Sequence, residues 1–333
     1  MKYVDVKILD GIGLGDAYEA IECESHEEWI DFRRQGIGGS DVAPIMGISP
    51  YRTALDVWMD KTGRAVECGQ TEAMYWGTHL EDLIARRFAR EHPDWVVEQV
   101  PATLVPLEGG RSYLHANLDR VVVTDNGPAV LEIKTASAYK ADDWRQGVPD
   151  YYLTQVCHYL LVTGWKVAYV AVLIGGNRYK EYRITRDEDD VQAVARACES
   201  FWKAYVKTDT MPQVVGADMR TLTDMYPGPS GDVGSGLVYQ ELESVSKADE
   251  VISDYQDSLK KSRDDERMRL DAKAKLVSLI GDADGIMTDM AQVTWHRDKT
   301  ERLDIKRLES ERPDIYSRYL KTTTTSKIIV KEI

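Results

Sequence analysis

The run Leu131-Glu132-Ile133-Lys134-Thr135 constrains this chain more than any other stretch. Side chains alternate along a strand, so Glu132 and Lys134 share one face while Leu131, Ile133 and Thr135 share the other. Upstream, residues 113–123 form a second strand-like run, and Asp125-Asn126-Gly127-Pro128 between them is turn chemistry. The pair predicts a hairpin. With the turn at Asn126-Gly127, position 119 falls opposite about position 134, which brings Asp119 to the face of Glu132 and Lys134. Two carboxylates and an amine on one face are costly unless something binds there, or unless they pair off as a cross-strand Asp–Lys bridge.

Around this hairpin, helical and strand patterns interleave, as in an α/β protein. Thr53 caps a short helix reaching Lys61, with Asp56 at the reciprocal capping position and Gly63 just past its end. A second helix spans about residues 77–91, with Leu80, Leu83, Ile84 and Phe88 on one stripe, and His92-Pro93 stops it. Residues 150–163 form a third helix, ended by Gly164. The nearly continuous apolar run 167–174 then reads as a strand buried on both faces. Gly175-Gly176-Asn177 turns it into residues 179–184, and a helix over 187–205 closes this part of the chain.

Turn residues crowd Pro227-Gly228-Pro229-Ser230-Gly231 and Gly234-Ser235-Gly236, which marks a linker. The expected organisation is a domain of residues 1–226, a linker 227–236 and an extension 237–333. In the extension Leu242, Val245, Val251, Ile252, Tyr255 and Leu259 keep helical spacing, and the pattern resumes at Leu270, Leu276, Val277 and Ile280. Residues 260–267 between them are almost wholly charged, so this is a long helix or a helical hairpin. Residues 292–295 and 327–330 read as two strands bracketing a basic helix around 304–319.

Composition narrows the functional classes. Hydrophobic residues make up 43% and charged residues 29%, ordinary for a folded domain, and no run of about 18 apolar residues offers a membrane span. The opening MKYVDVKILD lacks the basic region and apolar core of a secretion signal, so a cytoplasmic protein is expected. Cys23, Cys68, Cys157 and Cys198 form no Cys-x-x-Cys pair, and the histidines lack ligand-like spacing. A zinc or iron–sulfur site is not expected. A net charge of −14 opposes a polyanionic partner at long range. A carboxylate cluster that holds Mg²⁺ is itself acidic, however, and residues 291–333 are locally basic.

Mg²⁺ takes oxygen ligands and keeps waters, so Asp119, Glu132 and the backbone carbonyl of Ile133 make a natural partial shell. Lys134 beside them can orient an attacking water whose pKa the metal lowers. Phosphodiester hydrolysis is the expected chemistry. Glu81 borders the buried stripe of its helix, which points to a metal or to an ion pair with an arginine. Gln155 and Tyr159 stand one helical turn apart, as the polar edge of a core helix or as support for the site. The Gly36-to-Gly39 loop is either a plain turn or a close approach to a phosphate. Gly11-x-Gly13-x-Gly15 lacks the context of a nucleotide site and reads as a loop.

Five motifs occur in an order that resembles a known family. They are Arg33-Arg34-Gln35-Gly36-Ile37-Gly38-Gly39-Ser40-Asp41 with Trp58 and Lys61-Thr62-Gly63, then Trp76-Gly77-Thr78-His79-Leu80-Glu81, Leu118-Asp119, Leu131-Glu132-Ile133-Lys134 and Gln155-Val156-Cys157-His158-Tyr159. Over residues 25–210 the chain resembles the YqaJ-type viral recombinases, relatives of the phage lambda exonuclease. The resemblance implies a PD-(D/E)XK, restriction-endonuclease-like fold, with a mixed central sheet flanked by helices. A mainly helical extension with a short β-pair follows.

It also implies an exonuclease that degrades linear duplex DNA from its 5′ ends with Mg²⁺, for which Mn²⁺ substitutes. The product is a 3′ single strand for recombination by annealing. By the same resemblance Asp119, Glu132 and Glu81 would hold the metals, Lys134 would serve the water, and Gln155 would position substrate or Lys134. Arg34 and Ser40 match positions that bind a terminal 5′ phosphate, with Lys140 and Tyr159 as further DNA contacts. A ring-shaped homotrimer around DNA and a single-strand annealing protein as partner are implied too. Two departures from the lambda-type pattern stand out. Asn117-Leu118 and Asp119-Arg120 replace Ser-Pro and Asp-Gly, and Lys140 replaces an arginine, which makes a weaker bidentate clamp. Two other readings are a PD-(D/E)XK endonuclease of another kind, which would nick closed circles, and a non-catalytic DNA-end-binding module. The intact Asp119, Glu132 and Lys134 set argues against the second.

Overall fold

Thr124 pairs with Gly127 across the two-residue turn Asp125-Asn126, and Gly127 takes φ +103°, a value that a Cβ would resist. The turn is centred one residue earlier than the sequence suggested. Arg120 pairs with Leu131, so continuing the register puts Asp119 opposite Glu132 instead of Lys134. A shift of two residues keeps the face. The computed structural model describes residues 2–3, 18–65, 69–107, 109–226, 244–296, 299, 301–321, 328 and 330. It divides into two compact units, Met1–Asp224 and Met225–Ile333.

The strands of the first unit are β1 (Lys2–Tyr3), β2 (Tyr18–Glu22), β3 (Ile37–Gly38), β4 (Val96–Glu98), β5 (Thr103–Pro106), β6 (Leu114–His115), β7 (Arg120–Thr124), β8 (Gly127–Ala136), β9 (Val167–Ile174) and β10 (Arg178–Thr185). Five of them form the central sheet in the order β10-β9-β8-β7-β4. Only β8 and β9 run parallel, because the Asp150–Thr163 helix lies between them in the chain and carries the crossover. The sheet is therefore mixed and flanked by helices, as the sequence led us to expect. β1, β2 and β5 form a separate antiparallel sheet, and β3 pairs in parallel with β6.

The strand expected over residues 113–123 is in fact two strands. Leu114 and His115 pair with Ile37 and Gly38, Ala116 bridges to Leu104, and the chain re-enters the central sheet only at Arg120. Asp119 lies in the bend between them. One face of the sheet is sealed by the Glu72–Glu91 helix, whose Ile84, Ala85 and Phe88 pack on Val122, Ala129, Leu131, Ile133, Tyr169 and Ala171. Each fully buried large apolar side chain there contributes about 1.5–3 kcal/mol. This helix begins five residues before the expected Gly77, at a Thr71 cap. The Asp150–Thr163 helix lies over the other face and ends at Gly164 with φ +71°, a left-handed C-cap that glycine favours.

The second unit holds one long helix, Val245–Ile280, instead of a helical hairpin. Gln292–Thr294 pairs with Gly285–Met287, a local hairpin partner that the weak apolar pattern there did not reveal. The expected helix over 304–319 is two, Ile305–Glu311 and Pro313–Tyr319, because Pro313 cannot continue the first. The linker at residues 227–236, residues 327 and 329 of the expected strand, the glycines at 11, 13 and 15, and Cys68 lie outside the described residues. Among the described residues no helix is long and apolar enough to cross a membrane.

Candidate active site

The site forms where β7 stops short of β8. The Ile133 N–H donates to Asp119 Oδ2 at 2.7 Å, filling the place of a ladder bond that β7 does not supply. A residue's N–H and C=O leave a strand on the same side, so the Ile133 carbonyl also projects from this edge. Glu132 is 1% exposed. Its Oε1 accepts from Lys134 Nζ and, at 2.8 Å, from Gln155 Nε2. Its Oε2 is buried with no hydrogen-bond partner. Gln155 Nε2 also donates to the Tyr159 hydroxyl at 2.9 Å, and the Lys134 ammonium lies 5.0 Å from the centre of the Tyr152 ring, within cation–π range.

Burial and like charge dominate the electrostatics of this cluster. Burial, together with the charge of Glu132, pushes the Asp119 carboxyl well above the usual range, against the pull of Lys134 and the Ile133 N–H. Burial also raises Glu132, again opposed by Lys134. Burial would lower Lys134, but the carboxylates of Glu132 and Asp119 outweigh it and raise its pKa. Lys134 is thus a firmly held ammonium serving two carboxylates. The expected cross-strand Asp–Lys bridge is absent among the ion pairs of the described residues, where Lys134 pairs with Glu132 instead.

Glu81 reaches the same region from the Glu72–Glu91 helix and contributes to the electrostatics of Asp119, Glu132 and Lys134. Its Oε1 accepts from Arg120 Nη1 at 2.5 Å, so of the two expected partners it has the arginine. Among the described residues no three His, Cys, Asp or Glu side chains make a ready-assembled metal cage. The donor set at hand is Asp119, Glu132 and the Ile133 carbonyl. These are hard oxygens, and one of them, Glu132 Oε2, is buried and unpaired. That set suits Mg²⁺, which binds through one or two carboxylates and keeps waters.

Next to the Gly-rich loop stands a basic cluster. Asp41 is wholly buried, with Lys61 Nζ at 2.7 Å, Arg52 Nη1 at 3.1 Å and Arg33 Nη2 at 3.7 Å. Burial alone would raise its pKa; these three cations hold it below the usual carboxylate range instead. Arg33 reaches the exposed Ser40 hydroxyl at 3.5 Å, while Arg34 contacts Asp31 and its Nε is buried without a partner. Of the two residues expected at a terminal phosphate, Ser40 is reached by Arg33, and Arg34 reaches Asp31.

Gly39 is more than a turn residue. A Cβ there would lie 2.7 Å from the Tyr159 ring and 2.9 Å from Gln155 Cγ, so its absence lets the Gly39–Ile45 helix close on the helix that carries Gln155. Lys140 is exposed and pairs with Asp143 at 3.4 Å. Tyr159, expected among the DNA contacts, is buried behind Gln155. Sequence reasoning missed Arg33, Arg52, Lys61 and Arg120. A signal existed for Arg120, because it shares a face of β7 with the fully buried Val122, and a charge on such a face needs a partner.

A YqaJ-like viral recombinase domain matches residues 28–166, a span that includes every candidate site residue. The protein YqaJ of Bacillus subtilis is 31% identical over 318 residues, covering 93% of this chain and 95% of that protein. Among solved structures, an alkaline exonuclease (LHK-Exo) from Laribacter hongkongensis aligns at 20% identity and TM-score 0.46, over 60% of this chain and 100% of that one. A phage related exonuclease from Haemophilus somnus 129PT aligns at 9% identity and TM-score 0.41, over 54% and 97%. The near-complete match to the Bacillus protein and the domain match over the site agree, and this chain belongs to the YqaJ-like viral recombinase family.

Proposed function

We propose that this protein is a Mg²⁺-dependent exonuclease that degrades linear duplex DNA, 5′ to 3′, and exposes 3′ single strands for recombination by annealing. One observation carries the reading. Asp119 and Glu132, both raised in pKa, share a single ammonium, and Glu132 Oε2 has no partner. That arrangement is unfavourable as it stands and favourable once a divalent cation joins it.

Asp119, Glu132 and the Ile133 carbonyl would hold the ion. When bound, Mg²⁺ supplies charge neutralisation at the scissile phosphate and lowers the pKa of an attacking water. Gln155 fixes the Glu132 carboxylate through Oε1, and Tyr159 fixes Gln155 in turn. Lys134 shares Oε1 with Gln155, so neutralising Glu132 frees its ammonium to donate to the water or to a phosphate oxygen. The enclosed setting of these groups strengthens every such interaction. Arg33 beside the exposed Ser40 hydroxyl, with Arg52 and Lys61 on the same Asp41 carboxylate, supplies more positive charge than Asp41 uses, which suits a terminal 5′ phosphate and supports the direction. A trimeric ring around the duplex and a single-strand annealing partner belong to the same proposal; sedimentation with and without DNA tests the first.

The test is hydrolysis of linear duplex by site variants with Mg²⁺. Asp119→Ala and Glu132→Ala should abolish it while circular dichroism stays unchanged, and Lys134→Ala should cost at least about a hundredfold. Full activity in either carboxylate variant overturns the assignment.

A further inference from the structure

Glu81 is the third carboxylate of the region, and its partner is internal to the protein. Arg120 is 7% exposed. Its Nη1 donates to Glu81 Oε1 and to the Asp119 carbonyl, both at 2.5 Å, and its Nη2 lies 3.7 Å from Asp82 Oδ1. The guanidinium therefore clips the Glu72–Glu91 helix to the backbone of the residue that carries the Asp119 carboxylate. Four carboxylates, Glu81, Asp82, Asp119 and Glu132, are served by two cations, Arg120 and Lys134, leaving two negative charges in excess. That balance suits one divalent cation at Asp119 and Glu132 and leaves Glu81 engaged elsewhere, in keeping with the lack of a ready-assembled three-carboxylate cage among the described residues.

We propose that Arg120 is a positioning residue that competes with divalent metal for Glu81, so that Glu81 joins metal binding only when the Arg120 clip opens. The inference rests on the metal-dependent reading above. Arg120 thus sets how many cations the site takes and how tightly. A carboxylate gives up a charge-assisted hydrogen bond from a guanidinium at a cost of about ten- to a hundredfold in affinity for the competing cation. Glu81 is partly exposed, its side chain 28% accessible, so the lower end applies.

The experiment is Mn²⁺ titration of the full chain by calorimetry without DNA, on wild type, Arg120→Gln, Arg120→Gln with Glu81→Gln, and Glu132→Gln. Arg120→Gln should bind Mn²⁺ at least about tenfold tighter or take up a further equivalent, and the gain should vanish in the double variant. Wild-type binding in Arg120→Gln overturns the proposal. So does a gain that survives in the double variant, since removal of a positive charge would then suffice without Glu81. Glu132→Gln separates the two readings. If it binds Mn²⁺ as wild type does, the metal site itself is wrong; if it loses binding while Arg120→Gln is unchanged, only the role of Arg120 falls. Should Arg120→Gln fail to fold, Arg120→Lys keeps the charge, but its shorter side chain stops short of the Nη1 position that bridges Glu81 and the Asp119 carbonyl. Tighter Mn²⁺ binding in that variant supports the clip, and unchanged binding overturns it.

Discussion

Replacing Gly39 by alanine tests the packing that seats Gln155 over Glu132. The new Cβ would lie 2.7 Å from Tyr159 Cε1 and 2.9 Å from Gln155 Cγ, and both neighbours are buried in the Asp150–Thr163 helix. Neither is the free end of a flexible chain. Overpacking of this kind costs about 1–3 kcal/mol, and alanine recovers at most about 1 kcal/mol through its lower backbone entropy. Two contacts under 3.0 Å on buried neighbours call for the upper end of that cost, so Gly39→Ala should lose about 2 kcal/mol in urea unfolding followed by circular dichroism. If the strain is relieved by moving Gln155, its 2.8 Å bond to Glu132 goes as well, and turnover falls with stability. Gly38→Ala is the control, because its added Cβ would meet nothing closer than Asp41 Oδ2 at 3.6 Å. A Gly39→Ala protein with wild-type midpoint and wild-type turnover would refute the close approach.

Lys61→Met should cost about 3 kcal/mol, the low end for breaking a buried ion pair, because Asp41 keeps Arg33 and Arg52; a urea midpoint within error of wild type would contradict this. Burial pushes His115 and His158 down to about 4, so between their ordinary value near 6.5 and that point the unfolded chain binds protons that the native state refuses. Stability must then fall as pH drops through this window, by about 1.4 kcal/mol per pH unit per histidine. Comparing wild type with His158→Asn isolates one histidine from the opposite-signed effect of Asp119 and Glu132, and parallel profiles would refute it. A chain of residues 1–226 contains the whole first unit, and it should unfold cooperatively and bind Mn²⁺ like the full chain. Loss of folding would show that the second unit is needed to complete the first.

Much of the core was legible because its signals are local. Thr53 and Asp56 form the expected reciprocal cap, Gly164 ends its helix, and the apolar run Val167–Ile174 is a buried strand inside the sheet, between β10 and β8. Alternation put Glu132 and Lys134 on one face whatever the exact register. What was not legible depends on partners far along the chain. The break before Asp119 exists because Leu114 and His115 pair with Ile37 and Gly38, which no local pattern encodes. Gly36 and Gly39 looked like turn residues, yet each is small because a distant ring, His115 or Tyr159, sits against it. Arg120 could be seen to need a partner, but Glu81 is named only by the packing of helix on sheet.

The most direct test of the central claim uses purified protein, Mg²⁺, linear duplex DNA labelled at the 5′ or the 3′ end, and a covalently closed circle. The expected result is early release of the 5′ label, persistence of the 3′-labelled strand as single-stranded product, an untouched circle, and no reaction in EDTA. Nicking of the circle, earlier release of the 3′ label, or undiminished hydrolysis in EDTA would contradict it.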